Sequence, residues 1–261
     1  MELVKYELNS AGIGILTFNN PENLNAMDES MAKEFSSKVK SLFDSANNNK
    51  LRILILTGAG RAFSAGGNLT MLKEKSKLSP EENHRRMLDF YSSFLCIRDL
   101  GVPLIAAING HAIGAGLCLA SGCDIRIASK EAKLGLTFTK LGLHPGMGAT
   151  YFFPRILGQA RAYELLLTAR VIMAEEALRI GLVSQVVDTD QVLATAQKIA
   201  QEILTCGPDS VKQLLASLRM ELPDLESCLR READCQAINY ASSEFMEGVS
   251  ATIEKRAPKF S

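Results

Sequence analysis

The sequence predicts an α/β fold that gives way to an all-helical C-terminal segment, and three observations predict it. Short apolar runs of strand length alternate with stretches of helical periodicity as far as Asp188, the order that builds parallel strands joined by crossover helices. Beyond Asp188 only helical periods follow, with Pro208 and Pro223 near two of the starts. Two glycine-rich turns, 57–69 and 109–116, each come directly after a buried strand. The expected division is therefore a core over 1–188 and a helical region over 189–261.

Each element has its own justification. Residues 3–8 and 13–18 alternate like strands around Ser10, Ala11 and Gly12, a hairpin with its turn glycine in place. From Asp28 as N-cap, Met31, Phe35, Val39, Leu42 and Phe43 mark one apolar helix face. RILILT (52–57) has the length and β-branched content of a buried strand. Ser79, Pro80 and Glu82 supply a capping hydroxyl, a proline at the first helical position and a carboxylate three residues past the cap. The helix they start should bury Met87, Tyr91, Phe94 and Leu95. After Pro103 the apolar run 104–108 is another buried strand, ended by Asn109 and Gly110. GAGLCLASGC (114–123) is small and apolar enough for a closely packed helix, and 124–128 reads as a strand. In the last quarter 190–205, 209–220 and 225–247 are helical in period, suited to subunit contacts as much as to a core.

Composition bounds the function. A chain of 261 residues that is 47% hydrophobic and 22% charged is neither disordered nor fibrous, and its length is near the limit for one core. Twenty-nine basic residues balance 29 acidic ones with no run of five like charges, so nucleic acid is not an expected partner. A small anion stays compatible, because backbone N–H groups can hold one. The six cysteines form no CxxC pair and read as reduced thiols. With no stretch of 18 apolar residues, no membrane partner is expected. The expected location is the cytoplasm, or an organelle matrix if a transit peptide has been removed.

The glycine turns are where chemistry is expected. Small residues let the backbone approach a ligand and free N–H groups point at negative charge, although glycines also serve simply to make tight turns. Gly114-Ala115-Gly116 opens a helix after a strand, but a dinucleotide fingerprint needs a small residue where Leu119 stands and an acidic residue about twenty positions later. Neither is there. A phosphate-binding P-loop fails for want of Gly-Lys-Ser or Gly-Lys-Thr.

FSAGGNL (63–69), INGHAIGAGLCLASGCDIRIAS (108–129), LGLHPGMGAT (141–150), ALRIGLVS (177–184) and EKRAPKF (254–260) occur in that order along the chain. Together they resemble the enoyl-CoA hydratase/isomerase family, the crotonase superfamily. The resemblance implies a crotonase-like spiral of ββα turns with a C-terminal helical oligomerisation region, assembled as a homotrimer or a dimer of trimers. It implies an acyl-CoA thioester as substrate, with no separate cofactor and no metal. The thioester oxygen would sit in an oxyanion hole made by the backbone N–H groups of Gly67 and Ala115, the latter at a helix N-terminus, where an enolate is stabilised. Asn23, Leu24 and Ala26 would line the CoA, with Ala65 and Gly66 contacting it through their backbone. Lys255, Lys259 and Phe260 would reach a neighbouring subunit's nucleotide, the alternative being a solvated C-terminal face.

The sequence departs from that pattern at the acid and base. Family hydratases hold a water between two glutamates, and the matching positions here are Cys118 and Phe138. Phenylalanine has no proton to exchange, and burial pushes a thiol away from thiolate. Replacement groups are sought in Asp89, Glu82 and His84 on the helix after the first glycine turn, and in His144 beside Pro145. Each has a plain alternative: the helix residues as solvent-facing, His144 as a turn residue. His111 reads as packing behind the sheet, and Asn68 as a helix cap. The expected function is an enoyl-CoA hydratase/isomerase family lyase or isomerase with an altered acid and base. The alternatives are an acyl-CoA-binding protein without turnover and a divergent thioester hydrolase or decarboxylase.

Overall fold

The structure, a computed structural model, describes residues 2–220 and 223–260. The chain opens with the expected hairpin, β1 (Val4–Leu8) running antiparallel to β2 (Ile13–Phe18). In α1 (Glu29–Lys40) the Asp28 carboxylate accepts from the Met31 N–H, a cap worth about 1 kcal/mol. Then follow α2 (Phe43–Asn47), β3 (Ile53–Gly58), β4 (Ala62–Ser64) and α3 (Leu69–Lys75), capped by Asn68. The Ser79 hydroxyl accepts from Glu82 N and starts α4 (Pro80–Leu95). Next come β5 (Leu104–Ile108), β6 (His111–Ile113), α5 (Ala115–Ser121), β7 (Ile125–Ser129) and β8 (Lys133–Gly135). After α6 (Ala149–Leu157), α7 (Gln159–Thr168), β9 (Val171–Met173), α8 (Ala174–Arg179) and β10 (Gln185–Val187), the remaining elements among the described residues are helices: α9 (Val192–Leu204), α10 (Pro208–Arg219), α11 (Leu225–Tyr240) and α12 (Ser243–Ile253).

Two sheets organise these strands. The larger runs β1-β2-β3-β5-β7-β10, parallel from β2 onward, and the smaller runs β4-β6-β8-β9, with β9 antiparallel to β8. Thus β3 and β4, β5 and β6, and β7 and β8 repeat one step: a strand in the large sheet, a shorter strand in the small one, then helix. The result is a spiral of ββα turns. The strands of the small sheet, the second β of each expected turn, were not placed by residue pattern, because they are three residues each and carry no readable period.

The large sheet is covered on both faces, which is why β3 and β5 are continuous apolar runs. Alternate residues Leu54, Leu56, Leu104, Ala106 and Ile108 pack in the main core with Phe35 and Phe94. Their neighbours Ile53, Ile55, Ile105 and Ala107 meet Val192, Ala196 and Ala200 of α9 on the other face. The all-helical segment therefore starts as part of the core. It also differs from expectation at 225–247: the Ser242 hydroxyl accepts from Phe245 N and splits the run into α11 and α12, as serine does when it competes for backbone donors.

Candidate active site

The first glycine turn is held by a small buried network. Asn25, fully buried at φ 53°, donates through Nδ2 to the carbonyls of Ala59 and Ala62 at 2.9 and 2.8 Å and accepts from Asn20 N. The Ser64 hydroxyl donates to the Asn25 carbonyl at 2.8 Å and accepts from Gly66 N at 3.1 Å. Ala65 N donates to Leu24 O, Met27 N to Gly66 O and Asn68 N to Met27 O. Gly67 is passed over: among the described residues no acceptor takes its N–H.

The second turn offers a matching donor. Gly114 N donates to Gly135 O, and Ala115 then begins α5, so its N–H has no acceptor within the helix and none elsewhere among the described residues. The two turns touch backbone to backbone. Gly66 has φ +86°, and a Cβ there would lie 2.5 Å from the Ile113 carbonyl oxygen and 3.4 Å from Ala115 N. A Cβ on Gly116 would meet Ser64 at 2.7 Å. These glycines are required by close approach, and the approach fixes the spacing of the two free donors.

Gly67 and Ala115 both line one cavity of about 130 Å³, walled chiefly by apolar side chains that include Met71, Leu72, Met87, Phe90, Ile113 and Met147. Phe138 stands in this wall, its ring end 3.8 Å from where a Gly114 Cβ would be. Cys118 lies behind it, wholly buried, its thiol donating to the Gly146 carbonyl at 3.4 Å. Burial pushes that thiol far above the usual range, so it stays protonated.

Other expected residues are not brought to the cavity. Asp89 is exposed, 3.9 Å from Arg85, and faces a separate groove beside α1. The inner stripe of α4 is Met87, Phe90, Tyr91 and Phe94, and Asp89 falls on its solvent side. His144 is exposed, with Nδ1 donating to the Pro145 carbonyl at 2.8 Å. Glu82 is bound by Arg85 and Arg86, which hold its carboxyl below the usual range, and His84 is exposed. His111 belongs to β6, where its Nδ1 accepts from Lys133 N; burial, then Lys133 and Arg61, push its pKa down.

The CoA-facing residues are placed unevenly. Asn23, Leu24 and Ala26 form the turn zipped to the first glycine loop by the bond from Ala65 N to Leu24 O. The Gly66 N–H is spent on Ser64 Oγ and its carbonyl accepts from Met27 N, which leaves the second lone pair of that carbonyl as its one backbone group for a ligand. Ala65 lines the cavity, but its N–H is likewise spent. Lys255 and Lys259 are exposed and Phe260 is half-buried on the C-terminal tail, none of them lining this cavity. The tail is held by Glu247, which accepts from Arg256 and from Lys259 N and whose carboxyl is thereby lowered to about 2.

Sequence reasoning missed Asn25 and Ser64 as the holders of the first loop and Tyr91 as a polar group in the cavity wall. An asparagine beside a turn was the available signal for the first. For Tyr91 it was a polar-tipped ring inside an apolar stripe.

A spiral of ββα turns with a helical C-terminal segment is the fold class of the crotonase superfamily, and comparison with known proteins agrees. The model of the enoyl-CoA hydratase/isomerase family matches residues 9–261. The chain is 36% identical to a 1,2-epoxyphenylacetyl-CoA isomerase of Escherichia coli strain K12, covering 95% of each sequence. It is 34% identical to a short-chain-enoyl-CoA hydratase of Clostridium acetobutylicum, over 98% of this chain and 97% of that one. The crystal structure of an enoyl-CoA hydratase from Bacillus anthracis superposes with a TM-score of 0.89 at 32% identity, covering 99% of this chain and 98% of that chain. The chain belongs to the enoyl-CoA hydratase/isomerase family and is an acyl-CoA-processing enzyme of it. Among the described residues no helix is long and apolar enough to cross a membrane.

Proposed function

We propose that this protein binds a short acyl-CoA thioester with its carbonyl oxygen between the N–H groups of Gly67 and Ala115, and that these donors stabilise the enolate formed during turnover. The observation that carries the reading is that both donors lack an acceptor among the described residues and open onto the same apolar cavity. In such surroundings a donor aimed at developing charge is worth roughly 10²–10³ in rate. No separate cofactor is assigned, because the CoA thioester is itself the substrate. The turn at Asn23, Leu24 and Ala26 and the Ala65 carbonyl are the proposed CoA contacts. Lys255, Lys259 and Phe260 are proposed to serve a neighbouring subunit in a homotrimer or dimer of trimers.

Hydration of an enoyl-CoA is not the reaction this site favours. Cys118 is held as a thiol, Phe138 cannot exchange a proton, and among the described residues no carboxylate or imidazole lines the cavity. Losing a positioned acid or base costs about 10²–10⁴, so crotonyl-CoA hydration is expected at least ~10²-fold below that of a relative with both glutamates. Loss of the enoyl absorbance measures it, and Cys118→Glu combined with Phe138→Glu should raise it. A wild-type rate equal to such a relative's overturns the assignment of these positions. Calorimetry with acetyl-CoA and crotonyl-CoA tests binding itself: no heat and no competition at millimolar ligand overturns the whole reading.

A further inference from the structure

The cavity has one side chain able to give up a proton. Among its lining residues Tyr91 alone is titratable, and Thr137 is the other hydroxyl. The Tyr91 Oη reaches the main chain of Gly146 so closely that a Cβ at Gly146 would lie 2.1 Å from it. No hydrogen bond among the described residues occupies that hydroxyl. The Gly146 carbonyl in turn accepts from the Cys118 thiol. Phenol, glycine and thiol thus meet three residues along α5 from Ala115, about 4.5 Å of helix rise. With a thioester oxygen at Ala115 N–H, that is the reach of the first carbons of the acyl chain.

We infer that Tyr91 is the proton donor of this site and that the substrate is a malonyl-type CoA thioester, carrying a carboxylate on its α-carbon, which the protein decarboxylates. The inference rests on the enolate-stabilising reading above. The bond between the α-carbon and the carboxylate breaks, its electron pair moves into the thioester to give the enolate held by Gly67 and Ala115, and CO₂ leaves. The α-carbon then takes the proton of the Tyr91 hydroxyl, and solvent returns one to the phenolate. One malonyl thioester and one proton give one saturated acyl thioester and one CO₂.

Two features favour this over reactions that begin by removing a proton. Burial pushes the Tyr91 phenol above its usual range, and Cys118 is likewise held protonated by burial. At neutral pH the cavity can therefore give a proton but has no group to take one. Decarboxylation asks only for the gift. The apolar wall helps as well: a carboxylate stripped of water gains by spreading its charge into an enolate that meets two fixed donors. A volume of about 130 Å³ suits an acyl chain of few carbons.

Malonyl-CoA and methylmalonyl-CoA incubated in D₂O, with the products read by mass spectrometry, test the inference. The expected product is the decarboxylated thioester carrying one deuterium. Tyr91→Phe should slow it by roughly 10²–10⁴, a loss in turnover far larger than any it causes in acetyl-CoA affinity. Gly146→Ala, which keeps the phenol but displaces its tip, should slow it in the same direction. Wild-type protein that binds acetyl-CoA yet releases no CO₂ from either thioester overturns the inference and leaves the binding reading standing. So does a Tyr91→Phe variant that decarboxylates at the wild-type rate. If acetyl-CoA does not bind at all, both fall together.

Discussion

Gly66 shows how a residue with no side chain sets the spacing of two backbone turns. Its positive φ and its contact with the Ile113 carbonyl leave no place for a methyl group, and the donors on either side of that contact are the ones proposed to hold the thioester oxygen. Gly66→Ala should cost ~1–2 kcal/mol for the left-handed backbone alone, read as a lowered denaturation midpoint. It should also lower kcat/KM for any acyl-CoA turnover by roughly 10²–10³, the worth of one donor. A variant that is less stable but fully active would separate this contact from the chemistry. The glycine turns were legible in the sequence because glycine advertises close approach. Tyr91 was not: at its place in the stripe of α4 it reads as a core residue, and only the position of its hydroxyl against Gly146 gives it another meaning.

Among elements, α10 shows how the helical segment is tied to the sheet. Arg219 at its end makes a two-point pair with Asp124, Nε to Oδ1 at 3.0 Å and Nη2 to Oδ2 at 2.7 Å, while Asp124 also accepts from Leu104 N at the head of β5. Both side chains are largely buried, 15% and 20% exposed. Removing one partner of such a pair strands the other, at about 3–5 kcal/mol. Arg219→Ala should therefore destabilise the fold by that order in chemical denaturation, whereas Arg230→Ala, on an exposed pair with Glu226, should change little. The long elements were readable for the usual physical reason. Met31, Phe35 and Val39 repeat at helical spacing, and β5 is apolar throughout because both of its faces are covered. The five three-residue strands, β4, β6, β8, β9 and β10, were not, since three residues show no period. The tie between Arg219 and Asp124 spans 95 positions, and no local pattern announces it.

At the scale of the whole molecule, apolar surface remains. Leu167, Leu218, Leu225 and Ile253 are between 73% and 75% exposed, and Ile238, Tyr240 and Met246 add to the surface of the last two helices. A monomer in water rarely leaves so much uncovered, which supports the proposed assembly. Light scattering should give about three or six times the 28.4 kDa of one chain, and a mass near one chain at micromolar concentration would remove that support.

α4 stands outside both sheets, packed on α1 and started by its own serine cap. The donors of Gly67 and Ala115 belong to the spiral and are made of main chain, while Tyr91, whose hydroxyl is proposed to meet the acyl chain, is carried by this one helix. The spiral thus works as a fixed jig and α4 as its exchangeable bit. Substituting a residue on the inner stripe of α4 would change which atom faces the substrate without breaking a single strand pairing, so the fold can alter its reaction without renegotiating how it holds a thioester.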